Sequence, residues 1–167
     1  MDVGLLILRA SIGLIVAAHG AQKLAGWFGG GGMAGTAVDF EKLGFRPGGM
    51  MATMAGLAEA IGGVALALGL ATPFAASLIL ATMFVAIRSA HAGRGLFAVN
   101  GGFEHPLTIS AVAVALAFGG PGELSLDYIL GLPLDGPKWA GVAVALALSG
   151  AIPPLLARIP PVSRHPT

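Results

Sequence analysis

The stretch Leu5 to Leu24, LLILRASIGLIVAAHGAQKL, is long and apolar enough to cross a bilayer, yet it contains Arg9, His19, Gln22 and Lys23. A polar group left unsatisfied in hydrocarbon costs several kcal/mol, so such residues face other protein or water. The rest of the chain must therefore be arranged to cover them. Composition agrees: of 167 residues, 56% are hydrophobic and 10% charged, where a soluble domain runs at roughly 25% charged. Mean hydropathy is +0.86, and this length suits one compact membrane domain. The nine Lys and Arg are scattered and the net charge is +1, which excludes the basic patch a nucleic-acid partner would need. The chain has no cysteine, so it forms no disulfide, thiolate nucleophile or cysteine-ligated cluster. Redox chemistry would have to use a bound cofactor, a quinone or a partner subunit. Met1-Asp2-Val3 supplies no basic region ahead of the apolar run, which therefore reads as a retained transmembrane helix and not a signal peptide.

Five spans are expected. The first covers roughly Gly4 to Ala25. A loop, Gly26 to Gly49, follows, with a short amphipathic helix around Thr36 to Leu43: Thr36, Asp39 and Glu41 suit its start and Gly44 its end. Trp27, Phe28, Phe40 and Phe45 read as interfacial aromatics. Met50 to Ala71 and Phe74 to Ala90 form an antiparallel hairpin broken at Thr72-Pro73. After a polar segment, Gly93 to His105, comes a short span, Pro106 to Phe118, with Pro106 in its first turn. Gly119 to Gly122 ends it, and Leu124 to Asp127 reads as a capped turn. The fifth span is Trp139 to Leu156, where Gly141, Ala145 and Ser149 form a small-residue stripe suited to close helix approach. The domain expectation is a four-helix membrane unit over 1–128, an added membrane helix over 129–157 and a flexible polar tail over 158–167. Lys42, Arg46, Arg94, Arg158 and Arg164 fall on the first-loop side, with Lys23 and Arg88 near it, so the positive-inside rule puts the C-terminus in the cytoplasm and the N-terminus outside.

On this reading His19, Gln22 and Lys23, together with Glu59, Arg88, His91, Glu104 and His105, converge from four helices on one mouth, a default binding-site pattern. Glu59 stands among small residues in Ala55 to Gly63. A buried Glu needs a cation, and Lys23, Arg88 and Arg9 are the candidates. An interhelical ion pair that fixes packing is the bland alternative to a functional acid. Arg9 either turns inward to Glu59 or snorkels to its own interface. His19 and His91 on two helices are a weak haem signal; a hydrogen bond to a quinone carbonyl is a better use, and a satisfied structural histidine better still. Glu104 suits helix capping. His91, Glu104 and His105 lack a strong metal-ligand spacing, and Gly29 to Gly32 lacks the Lys-Ser/Thr of a phosphate loop.

The pattern Arg9-x3-Gly13-x5-His19-Gly20-x2-Lys23 resembles the opening of DoxX family membrane proteins. Phe40-x3-Gly44, Glu59 with Gly62-Gly63, Gly69-Leu70-x-Thr72, Gly101-Gly102-x-Glu104-x-Pro106 and Gly120-Pro121-Gly122-x2-Ser125-x-Asp127 extend the resemblance from Leu5 to Tyr128. It implies an all-α integral membrane four-helix bundle, here with an additional C-terminal transmembrane helix, in the cell membrane. Relatives include a membrane subunit of thiosulfate:quinone oxidoreductase, and others are linked to redox and sulfur stress. Arg9, His19, Lys23, Glu59, Glu104 and Asp127 are the positions the resemblance marks. The leading expectation is a quinone-binding subunit of a membrane oxidoreductase. Glu59 and His19 would be its catalytic pair, and Arg9, His19, Lys23, Arg88 and Glu104 would bind the cofactor, with no metal. Its partners would be the lipid bilayer, redox subunits or soluble redox proteins, and further copies of the chain. A non-enzymatic scaffold for partner subunits and a proton-coupled transporter built on Glu59 are the alternatives.

Overall fold

A computed structural model describes residues 2–159, whose regular secondary structure is all helical, with no strand among them. The helices are α1 (Asp2–Ala25), α2 (Gly32–Lys42), α3 (Gly48–Leu68), α4 (Thr72–Ser89), α5 (Glu104–Gly119), α6 (Leu126–Ile129) and α7 (Pro137–Leu156). Four of them, α1, α3, α4 and α7, are long and apolar enough to cross a membrane. Helix α5 has 16 residues, about 24 Å at 1.5 Å per residue against a hydrocarbon core of about 30 Å. Its ends nevertheless lie at opposite ends of the bundle. Glu104 N–H donates to Leu96 in the loop after α4, and the carbonyl of Phe118 accepts from Gly136 just before α7.

The molecule therefore has two ends. At the α2 end lie the C-terminus of α1, α2, the start of α3, the end of α4, the start of α5 and the end of α7. At the α6 end lie the opposite termini and the α5–α7 connection. Helix α4 is central and packs against α3, α5 and α7, while α1 packs on α3 and α2 lies across both. The core runs through Val16, Leu66, Ile79, Leu116, Ala113 and Ala143. Lipid tails are as apolar as leucine, so burial alone does not hold such helices together, and close van der Waals contact must. The α1–α3 seam supplies it. A Cβ on Gly13 would stand 2.5 Å from the carbonyl oxygen of Gly63, and one on Gly63 would stand 2.4 Å from Ala17 N. Gly20 meets Gly56 and Ala60 the same way one and a half to two turns on.

Four expectations change. Helix α2 begins at Gly32, not Thr36; Thr36 sits mid-helix and its hydroxyl donates to the carbonyl of Lys23 at 3.3 Å, tying α2 to α1. The end of α2 is as expected: Gly44, at φ 91, follows its last turn, and Phe45 N–H donates back to Phe40. Phe45, however, is no interfacial anchor but a buried side chain, tilted against Phe40 and covered by the Arg158 guanidinium. In α7 the packed stripe is Ala140, Ala143, Ala147 and Ala151, while Gly141, Ala145 and Ser149 face outward. The tail is not free at its start. Arg158 Nε donates to the carbonyl of Leu43 at 2.5 Å and Ile159 N–H to that of Gly44 at 3.0 Å. Residues 160–167, including Arg164, lie outside the described residues.

Candidate functional site

Among the acids of the described membrane helices, Glu59 is the buried one. It stands mid-α3 and is 4% exposed. Because Gly56 and Gly63 carry no side chain, α1 approaches α3 closely enough for Lys23 to reach it: Lys23 Nζ is 2.5 Å from Glu59 Oε2. The Lys23 side chain stays 26% exposed against 6% for Glu59, so the accessible partner of the pair is the lysine. One turn before Lys23 on α1 is His19, which is exposed and whose Nδ1 lies 2.9 Å from Gln22 Oε1. Gln22 in turn donates to the carbonyl of Phe28 at 3.2 Å, linking this stripe of α1 to the turn that carries the exposed aromatics Trp27 and Phe28. Of the three cations expected to compete for Glu59, Lys23 holds it.

Arg9 goes neither to Glu59 nor to the interface. It is 2% exposed. Its Nη1 donates to Ala67 O at 2.6 Å and its Nη2 to Leu124 O, while Nε has no partner. The guanidinium packs where a Cβ on Gly69 would be, 2.8 Å from that position, and Ser125 Cβ presses on the same point at 2.6 Å. Gly69 is at φ 63, so both conformation and space exclude a side chain there.

Beside it lies the least expected arrangement in the molecule. Helix α4 begins after Ala71, which has no side chain to cap it and sits at φ 47. Asp127, from α6, supplies the cap. Its Oδ1 accepts from Ala71 N at 2.6 Å, and its Oδ2 accepts from Thr72 N at 2.9 Å and from Thr72 Oγ1 at 2.7 Å. Asp127 N–H also donates to Gly69 O at 2.8 Å. The resemblance marked Asp127 without a role. The signal available was a proline-started helix, Thr72-Pro73, preceded by a residue unable to cap it. Ser125, as expected of a capped turn, accepts from Tyr128 N–H at 3.2 Å.

The remaining polar residues form a local loop of their own. His91 Nδ1 is 2.7 Å from Gly101 O, and Glu104 Oε2 accepts from Ala98 N–H at 2.9 Å. Glu104 thus caps the 98–100 turn and not its own helix. His105 is exposed. Arg88, at the end of α4, faces α7 and Arg158. Among the described residues no hydrogen bond or ion pair joins the Lys23–Glu59 pair to Arg88, His91, Glu104 or His105. At the α2 end the polar residues thus bond in three sets: Lys23–Glu59 with His19 and Gln22, the His91–Glu104 loop, and Arg88 with Arg158. Arg9 and Asp127 make a fourth at the far end. No group of three or more His, Asp or Glu among the described residues is placed to hold a metal ion.

Chemically, the Lys23–Glu59 pair offers an ammonium donor and a carboxylate at one point of the helix surface, with an imidazole one turn away. No curated protein and no solved structure matches the chain. A family model described as DoxX matches residues 4–92, more than half of the chain, covering α1 to α4 and the polar groups of His19, Lys23, Glu59 and Arg88.

Proposed function

The chain belongs to the DoxX family of membrane proteins, and from that premise we propose that it is the membrane-embedded subunit of a redox system that receives a quinone head group at Lys23, Glu59 and His19. The observation that carries this reading is the Lys23–Glu59 ion pair, with a buried carboxylate and a partly exposed lysine, beside an exposed histidine. A quinone partitions into the bilayer and, when bound, supplies two-electron, two-proton chemistry. Lys23 has three donors suited to a carbonyl acceptor, while His19, whose Nδ1–H is given to Gln22 Oε1, presents Nε2 as an acceptor for a quinol hydroxyl. Glu59, held close to Lys23, is positioned to exchange a proton with it. Electrons would arrive from a partner subunit or a soluble redox protein. Among the described residues, Arg9, Arg88 and Glu104 make no bond to this group, so the proposal rests on three residues.

The reading is tested on the purified protein by equilibrium binding of a short-chain quinone. Glu59→Gln and His19→Ala are each expected to weaken binding about tenfold, the loss of one charge-assisted hydrogen bond. Unchanged binding in both variants would sink it. A scaffold function is favoured instead by one observation, that Arg9, Asp127 and His91 are all bonded to the chain itself. Stoichiometric partners recovered from mild detergent, with no bound quinone, would support that reading.

The cation distribution adds an orientation. Lys42, Arg46, Arg88, Arg94 and Arg158 lie at the α2 end and Lys138 at the other. By the positive-inside rule the α2 end faces the cytoplasm.

A further inference from the structure

At the α2 end, α4 and α7 part around a cavity of about 260 Å³ lined by Arg88, Ile152, Leu155, Leu156 and Arg158. We propose that this cavity binds the phosphate of an anionic phospholipid headgroup.

Among the described residues, two guanidinium groups line the cavity and no acid does. Neither arginine pairs with a carboxylate among the described residues. Arg158 is fixed in place: Nε donates to Leu43 O and Nη1 to Arg88 O at 3.3 Å. Its Nη2 has no acceptor among the described residues. Arg88 is exposed, and its side chain makes no hydrogen bond among the described residues, so its fork of donors faces the cavity. Two cationic side chains lining one cavity, one of them immobilised, suit an anion that accepts from both, and the arginine fork matches phosphate oxygens.

The remaining wall identifies the source of that phosphate. Ile152, Leu155 and Leu156 come from the last turns of α7, and Leu156 is 81% exposed. The cavity opens at the ends of two membrane-spanning helices, the depth at which headgroups lie, and an apolar strip leads from it along α7 toward the hydrocarbon. A free phosphate ion would use the arginines and leave that strip bare; a phospholipid uses both. Basic pockets between helices on the cytoplasmic side take acidic headgroups in this way. The site is separate from the Lys23–Glu59 pair, and its test does not depend on quinone binding.

The full-length protein in detergent is titrated with phosphatidylglycerol, phosphatidylcholine or inorganic phosphate, and retained ligand is read by native mass spectrometry. Wild type is expected to retain phosphatidylglycerol in preference to phosphatidylcholine, and millimolar inorganic phosphate is expected not to displace it. Arg88→Gln should lower retention about fivefold, the worth of one cation at a membrane surface. Arg88→Lys should recover most of it, and Lys138→Gln, at the opposite end, should change nothing. Arg88 carries no side-chain bond among the described residues, so its variants are expected to keep the fold, which circular dichroism checks. Equal retention of phosphatidylcholine, retention unaffected by Arg88→Gln, or displacement by inorganic phosphate would each overturn the assignment.

Discussion

Asp127 shows how much one side chain can do in this molecule. Its carboxylate closes the start of α4 with three bonds, and its N–H closes the end of α3. Removing a cap costs about 0.5–2 kcal/mol, and a buried bond to a charged group about 1.5–3. Asp127→Ala should therefore destabilise the protein by roughly 3 kcal/mol, and Asp127→Asn, which keeps the shape but loses the charge, by about half that. Thermal unfolding in detergent measures both, and equal stability of all three proteins would refute the capping role. The Lys23–Glu59 pair was partly legible in the sequence, because a buried acid in a span needs a cation and only three were in reach. The fate of Arg9 was not. Its acceptors, Ala67 O and Leu124 O, are backbone groups that every residue carries, so nothing in the sequence distinguishes them from any other carbonyl.

The spanning helices themselves are plain in the sequence, since twenty-residue apolar runs have few other uses in a chain this hydrophobic. Which face each helix turns inward is not. In water a helix separates apolar from polar faces, but in lipid both faces are apolar and the periodic signal disappears. That is why the stripe Gly141, Ala145, Ser149 looks like a contact surface while Ala140, Ala143, Ala147 and Ala151 form it. The contrast can be measured. Gly63→Val places atoms against the backbone of α1, where a Cβ alone would be 2.4 Å from Ala17 N, and should cost about 1–3 kcal/mol through overpacking. A Cβ on Gly141 meets nothing within 4 Å, so Gly141→Ala should change stability by less than about 0.5 kcal/mol. Denaturation in mixed micelles reports both, and equal sensitivity would contradict the packing described.

For the molecule as a whole, the testable statement is its direction in the membrane. The natural chain has no cysteine, so single cysteines can be introduced without background. Arg94→Cys, in the loop after α4, should be protected from a membrane-impermeant maleimide in intact cells and labelled after lysis. Glu123→Cys, in the loop after α5, should be labelled in intact cells. The reverse pattern would invert the orientation, and labelling of both would mean that α5, the shortest apolar helix, does not cross. Charge placement was legible because loops can be counted from the spans; the anchoring of Arg158 and Ile159 onto the end of α2 was not, because it again uses the backbone carbonyls of Leu43 and Gly44.

The cap on α4 also imposes an order in time. Asp127 is 55 residues downstream of the Thr72 it holds. At roughly 5–20 residues per second of synthesis, those two residues emerge about 3–11 s apart. During that interval the hairpin of α3 and α4 is inserted with its turn still bonded to water at the membrane surface. The turn closes only when α5 has crossed and delivered α6 to the same side. Correct threading of the later helices is thus what completes the earlier ones, and a chain whose α5 failed to cross would leave its first hairpin unlatched.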